Sequence, residues 1–348
     1  MFYVTICVTP FSFGEEMVRT LGRWAWFGAA VDLLPATAAL GALAVLRARL
    51  PEASVLEYAP ALLGRFAGWV YVSMLFVLFA VGAGANLSVF VDMLHTTLAQ
   101  DLSGWVPALV MSVLAAYVAF FGPEVIARVA TALLLAVMPA LAFICTLPWI
   151  NSVPGRLWPL WTVPWGQVLN RVNTASILGA CRGFLPLLVL APMVRGRGFF
   201  RSAFAAQTAA IGVIMLAFAI PVAVFGVALA EQYRFPLLDA IGTLGWIWLP
   251  IHRLGHLASL IWEMVTFVVA ATYIWLGAAL GGWLFLRGRW RPLIPALGCA
   301  TLLVAGPLFG SQVQAEVLAI WSWAVVALGM LVPIGLAAAA LRRRTATS

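Results

Sequence analysis

The sequence predicts an all-α polytopic membrane protein with about ten transmembrane helices. Three observations carry that prediction. The 348 residues are 64% hydrophobic and 9% charged, whereas a soluble domain carries about 25% charged residues, and the mean hydropathy is +1.05. Apolar runs near the ~20 residues that cross a bilayer as a helix recur from end to end. The arginines between these runs are dense in alternate loops and sparse in the others, which is how membrane topology distributes positive charge. The net charge of +8 is dispersed in this way, so no nucleic-acid partner is expected.

Taken in order, the first span lies near residues 1–13, where "MFYVTICVTPFSF" supplies about thirteen apolar residues, short for a regular crossing. Either the start is late, or the helix is completed irregularly through "GEEMVRTLG". A signal peptide is not expected, because a basic leader and a small-residue cleavage site are both missing. The remaining spans lie near 24–46, 66–97, 105–122, 125–148, 173–194, 202–229, 251–286, 292–309 and 315–341, each an apolar run between polar or Gly/Pro punctuation. The link "EASVLEYAPALLG" reads as a short interfacial helix, with Glu52 and Glu57 solvated among Arg47, Arg49 and Arg65. Tryptophans near span ends, such as Trp24, Trp26, Trp105, Trp149 and Trp290, fit aromatic belts.

All twenty basic residues are arginine. One set of loops holds thirteen: Arg47, Arg49, Arg65, Arg128, Arg195, Arg197, Arg201, Arg287, Arg289, Arg291, Arg342, Arg343 and Arg344. The opposite set holds five: Arg19, Arg23, Arg156, Arg171 and Arg234. Positive residues stay cytoplasmic, so both termini are expected in the cytoplasm.

Two spans carry breaks. "CVTPFSFG" interrupts the first and "LGACRGFLP" the sixth, five helices apart, as a five-plus-five inverted repeat requires. Pro10 removes a backbone donor, and Gly179 and Gly183 permit unusual dihedrals. Unpaired backbone groups at membrane depth must face protein or a wet cavity. The breaks therefore nominate Val8, Thr9, Pro10 and Phe11, with Leu178, Gly179, Ala180, Cys181, Arg182 and Gly183, as ligand-binding positions. Glycine and proline are also common in membrane helices generally. Arg182 lies about nine residues into its span, where a lipid-facing arginine costs at least ~2.5–3.5 kcal/mol. It has two readings: an intramembrane ion pair with Asp32, at similar depth in the second span, or a contact with a ligand carboxylate.

His252, His256 and Glu263 fall on one helical face at the head of the eighth span, with Arg253 about 100° away. Counting back from Arg287 puts Glu263 near the outer hydrocarbon edge and the other three beyond it. Together they form the lip of an outer vestibule. Asp92 and His95 share one face at the outer end of the third span and read as an interfacial pair. Glu15 and Glu16 follow the first break, suited to a helix N-terminus.

No catalytic signature is present, neither a phosphate loop with lysine nor a nucleophile elbow, so no enzyme activity is expected. His252 and His256 have metal-compatible spacing, yet the third ligand would have to be Glu263 two turns on, so neither metal nor cofactor is expected. Cys7, Cys145, Cys181 and Cys299 lie inside apolar runs and read as packing residues.

Several stretches carry a resemblance: "LPEASVLEYAPALLGRFAGWVY" between the second and third spans, "RFPLLDAIGTLGWIWLPIHRLGHLASLIWEM" before the eighth, and "TPFSFGEEMVRTLGRWAWFGAAV" between the first and second. In their order and spacing the chain resembles the B subunit of spore germinant receptors, the endospore germination permeases of the amino acid–polyamine–organocation superfamily. The resemblance covers nearly the whole chain. It departs at Gly255 and His256, where a glutamate is expected two residues after Arg253, and at Arg182, where no cation is expected.

The resemblance implies one permease domain over 1–348 with a LeuT-like fold. Repeat one would run to about 148, repeat two over about 173–309, and the last helix over about 315–341. It implies a nutrient sensor of the spore inner membrane, binding a small germinant such as an amino acid and working with A-type and C-type receptor subunits in the lipid bilayer. A proton- or sodium-coupled amino-acid transporter, or a ligand-gated cation pathway, is the alternative.

Overall fold

The computed structural model describes residues 5–6, 14–31, 33–50, 53–98, 101–158, 183–194, 198–243 and 254–345. Among these, all regular structure is helical. In chain order the α-helices are α1 (Gly14–Leu21), α2 (Ala25–Val31), α3 (Leu33–Arg49), α4 (Val55–Leu63), α5 (Arg65–Thr97), α6 (Trp105–Phe120), α7 (Pro123–Thr146), α8 (Leu187–Leu190), α9 (Phe199–Phe225), α10 (Val227–Ala230), α11 (Pro236–Gly242), α12 (Leu254–Phe285), α13 (Leu293–Leu308), α14 (Gln314–Val325) and α15 (Val332–Thr345).

Six stretches are long and apolar enough to cross a membrane: Gly14–Arg49, Arg65–Thr97, Pro123–Asn151, Phe199–Phe225, Leu254–Phe285 and Gln314–Arg342. They correspond to the expected spans two, three, five, seven, eight and ten. The shorter apolar helices α6 and α13 correspond to spans four and nine. The chain is thus a multi-pass helical membrane protein. The first span, apart from Thr5 and Ile6, and residues 173–182 of the sixth lie outside the described residues.

Boundaries differ where local chemistry overrides hydropathy. The second crossing begins at Gly14 rather than 24, because "GEEMVRTL" coils into α1 with Glu15 and Glu16 in its first turn, where the helix dipole favours negative charge. The seventh stops at Phe225 rather than 229, because Gly226 has a φ of 80° and starts a separate turn, α10. In the link before α5, the Ser54 backbone N–H donates to Glu57 Oε2 at 2.8 Å. That bond starts α4 with the reciprocal half of a capping box. Its Tyr58 is buried, and that burial pushes the phenol pKa well up from its ordinary value.

α12 is the centre of the bundle, packed against α5, α6, α7, α11 and α13. Trp262 and Tyr273 on α12 and Phe79 on α5 are among the largest fully buried side chains. Phe79 meets Tyr273 edge-on at 5.5 Å, and Trp321 Nε1 on α14 donates to the Leu78 carbonyl at 2.8 Å. Lipid is as apolar as leucine, so close packing of small residues has to hold such helices together. Gly84 illustrates this: a Cβ there would stand 2.8 Å from the Thr301 carbonyl oxygen and 2.5 Å from Val304 Cβ on α13.

Arginines tie loops of the same expected side to one another. Arg47 donates to the Val194 carbonyl at 2.6 Å and lies over the Phe199 ring at 4.7 Å. Within the opposite set, Arg23 donates to the Trp158 carbonyl at 2.5 Å, Arg156 to the Val224 carbonyl, and Arg234 to Asp92.

Candidate functional site

The nominated residues Val8, Thr9, Pro10, Phe11, Leu178, Gly179, Ala180, Cys181, Arg182, Asp32, His252 and Arg253 all lie outside the described residues. Gly183, His256 and Glu263 are described, and they fall in three different places.

Gly183 sits where the chain enters the last part of the sixth span. A Cβ on it would stand 1.9 Å from Thr5 Oγ1 and 2.6 Å from Gln207 Oε1. Glycine is therefore required by space at this point. Thr5 Oγ1 donates to Gln207 Oε1 at 3.0 Å, and both side chains are fully buried. One residue just before the first break, one at the edge of the second, and an amide on α9 meet at a polar seam inside the bundle. Sequence reasoning missed Thr5 and Gln207. The signal for Gln207 was available: an amide in the interior of an apolar run is costly unless it meets a partner inside the bundle.

His256 lines a cavity of about 500 Å³ together with Thr96, Thr97, Phe225, Tyr233, Leu238, Asp239, Gly242, Thr243 and Gly255. α11 packs onto α12 closely here: a Cβ on Gly255 would lie 3.4 Å from the Leu238 carbonyl oxygen and 3.7 Å from Gly242 Cα. That approach brings Asp239 and His256 to one cavity. Desolvation raises the Asp239 carboxyl above its ordinary value.

Glu263 does not line this cavity. It is half-buried on α12, and its Oε2 is buried with no hydrogen-bond partner among the described residues. The four-residue vestibule lip expected at the head of the eighth span is thus seen only through His256.

A second cavity of about 480 Å³ is lined by Glu15, Glu16, Arg19, Asp92, Gln232, Arg234, Gln312 and Gln314, among others. Asp92 is buried and pairs with Arg234, across 142 residues of sequence. His95 instead packs edge-on against Phe309 at 5.0 Å. His95 stays within electrostatic reach of Asp92, as the shared face predicts, and each of the two also makes a contact with a distant segment. The strap 232–235 separates the two cavities: Gln232, Arg234 and Phe235 line one, and Tyr233 lines the other.

A larger concavity, about 1070 Å³, is an apolar groove between α5 and α14 lined by Phe66, Trp69, Met74, Ile320 and neighbours. Its Phe66, Met74 and Ile320 are exposed. No cluster of three or more His, Cys, Asp or Glu side chains able to hold a metal ion occurs among the described residues.

A family model described as spore germination protein matches residues 1–306. No curated protein matches the chain significantly.

Proposed function

The chain belongs to the spore germination protein family, and from that premise we propose that it is the transmembrane B subunit of a germinant receptor. It binds a small nutrient, an amino acid by preference, and relays the binding as a change in helix arrangement to A-type and C-type subunits. The observation that carries this reading is the seam of Thr5, Gly183 and Gln207. Segments flanking both sequence breaks reach one buried point there, as paired broken helices do around a central ligand. The fold on this reading is the five-plus-five inverted repeat, with a tenth helix outside the second repeat and both termini cytoplasmic. Contacts of Arg47, Arg23, Arg156 and Arg234 within their own loop sets support that sidedness. The membrane is the spore inner membrane.

The protein binds its nutrient without converting it. Val8, Thr9, Pro10 and Phe11, with Leu178, Gly179, Ala180 and Cys181, present backbone groups to the ligand. Arg182 either meets a ligand carboxylate or is held by Asp32. Germination of spores carrying Arg182→Ala, Asp32→Asn and the double variant tests these roles. If Arg182 meets the ligand, the first variant needs far more nutrient to germinate. If it is held by Asp32, the double variant recovers what either single variant loses. Concentrative amino-acid uptake into sealed vesicles by this chain alone would contradict the sensor reading and favour a transporter.

A further inference from the structure

We propose that the cavity between α11 and α12 is a second ligand site, one that takes a small molecule bearing a primary ammonium group. Apart from His256 and the Tyr233 hydroxyl, each of which can accept as well as donate, the polar lining is a set of acceptors whose own protons are already committed. Thr97 Oγ1 donates to the Met93 carbonyl at 2.8 Å, and Thr243 Oγ1 to the Ala240 carbonyl at 2.7 Å. A hydroxyl that has given its one proton to backbone offers only lone pairs to a ligand. The Asp239 carboxylate makes no ion pair among the described residues, and an ionised carboxylate also only accepts. Phe225 and Tyr233 stand with ring centroids 4.8 Å apart and planes inclined by 37°, and aromatic faces attract cations.

Carboxylate, committed hydroxyls and aromatic faces are together complementary to an ammonium group, which is positive and donates only. An anion would meet the unpaired Asp239. A divalent metal would lack a third acidic, imidazole or thiolate ligand among the described residues. At about 500 Å³ the cavity lies within the ~300–1,000 Å³ of ordinary small-molecule pockets, ample for an organic amine. Thr5, Gly183 and Gln207 do not line it, so the site is separate from the polar seam and does not rest on the germinant-receptor reading. Desolvation of Asp239 adds that the carboxylate must ionise against its surroundings, which favours a ligand that brings positive charge.

The test is calorimetric titration of the full chain, reconstituted in neutral-lipid nanodiscs, with ethylammonium chloride, using sodium acetate as the anion control. Wild type should bind ethylammonium saturably and acetate not at all. Loss of one charge-assisted hydrogen bond weakens binding by about tenfold or more, so D239N should lose at least that. D239E should stay within a few-fold of wild type, and E124Q, in an exposed pair elsewhere, should be unchanged. If D239N does not fold, T243V serves as the reporter, with a few-fold weakening expected. No saturable binding by wild type, equal binding of acetate, or wild-type affinity in D239N or T243V overturns the proposal.

Discussion

Replacing Gly183 with alanine puts one methyl group into the most crowded polar contact of the bundle. The new Cβ would lie 1.9 Å from Thr5 Oγ1 and 2.6 Å from Gln207 Oε1, and neither distance is tolerable for a carbon. Something must move. Overpacking of a well-filled interior costs about 1–3 kcal/mol. Pushing Thr5 aside also breaks its 3.0 Å bond to Gln207, about 1 kcal/mol more. Gly183→Ala should therefore destabilise the fold by about 2–4 kcal/mol, read as a lowered melting temperature of the detergent-purified protein. Because the closest clash is with the Thr5 hydroxyl, Thr5→Ala should relieve part of it, and the two substitutions should couple by about 1 kcal/mol or more. A Gly183→Ala protein that melts with wild type, or that adds to Thr5→Ala without coupling, would refute the seam.

Two further expectations concern acidic side chains and their surroundings. Arg234→Ala leaves Asp92 buried without its cation; since Arg234 is itself about half exposed, the cost should be about 1–2 kcal/mol. Asp92→Asn should cost less, and the double variant should recover part of the loss; strictly additive losses in thermal unfolding would show that the two side chains do not stabilise each other. Glu263 has no hydrogen-bond partner for Oε2 among the described residues, so Glu263→Met should hold or raise thermal stability by about 1 kcal/mol; a clear loss of stability would reveal an interaction that the carboxyl makes in the membrane.

The membrane class and most spans could be read from the sequence because both rest on local, additive properties, length and hydropathy. The stretches from Arg65 to Thr97 and from Leu254 to Phe285 stood out for that reason. The start of the second crossing did not, since "GEEMVRTL" is polar enough to read as a loop until its acidic first turn meets the helix N-terminus. Pairings across the fold were less accessible still. Asp92 looked toward His95 on its own helix, while its partner Arg234 lies 142 residues away. Gly183 was nominated for its backbone freedom, whereas its described role is spatial, leaving room for Thr5 and Gln207. Asp239 carried no motif. It matters only because α11 packs on α12 and so brings it to the cavity that His256 also lines.

Ligand binding at the two breaks is the central claim, and equilibrium binding to the purified full chain tests it most directly. The twenty common amino acids are titrated individually against wild type, Arg182→Ala and Gly183→Ala, with folding of all three checked by thermal unfolding. The account predicts that at least one amino acid binds wild type saturably. It also predicts that Gly183→Ala, at the seam, weakens that same ligand, and that Arg182→Ala does so if its guanidinium meets the carboxylate. Wild type that binds none of them, or a folded Gly183→Ala protein that binds the ligand with wild-type affinity, would contradict it.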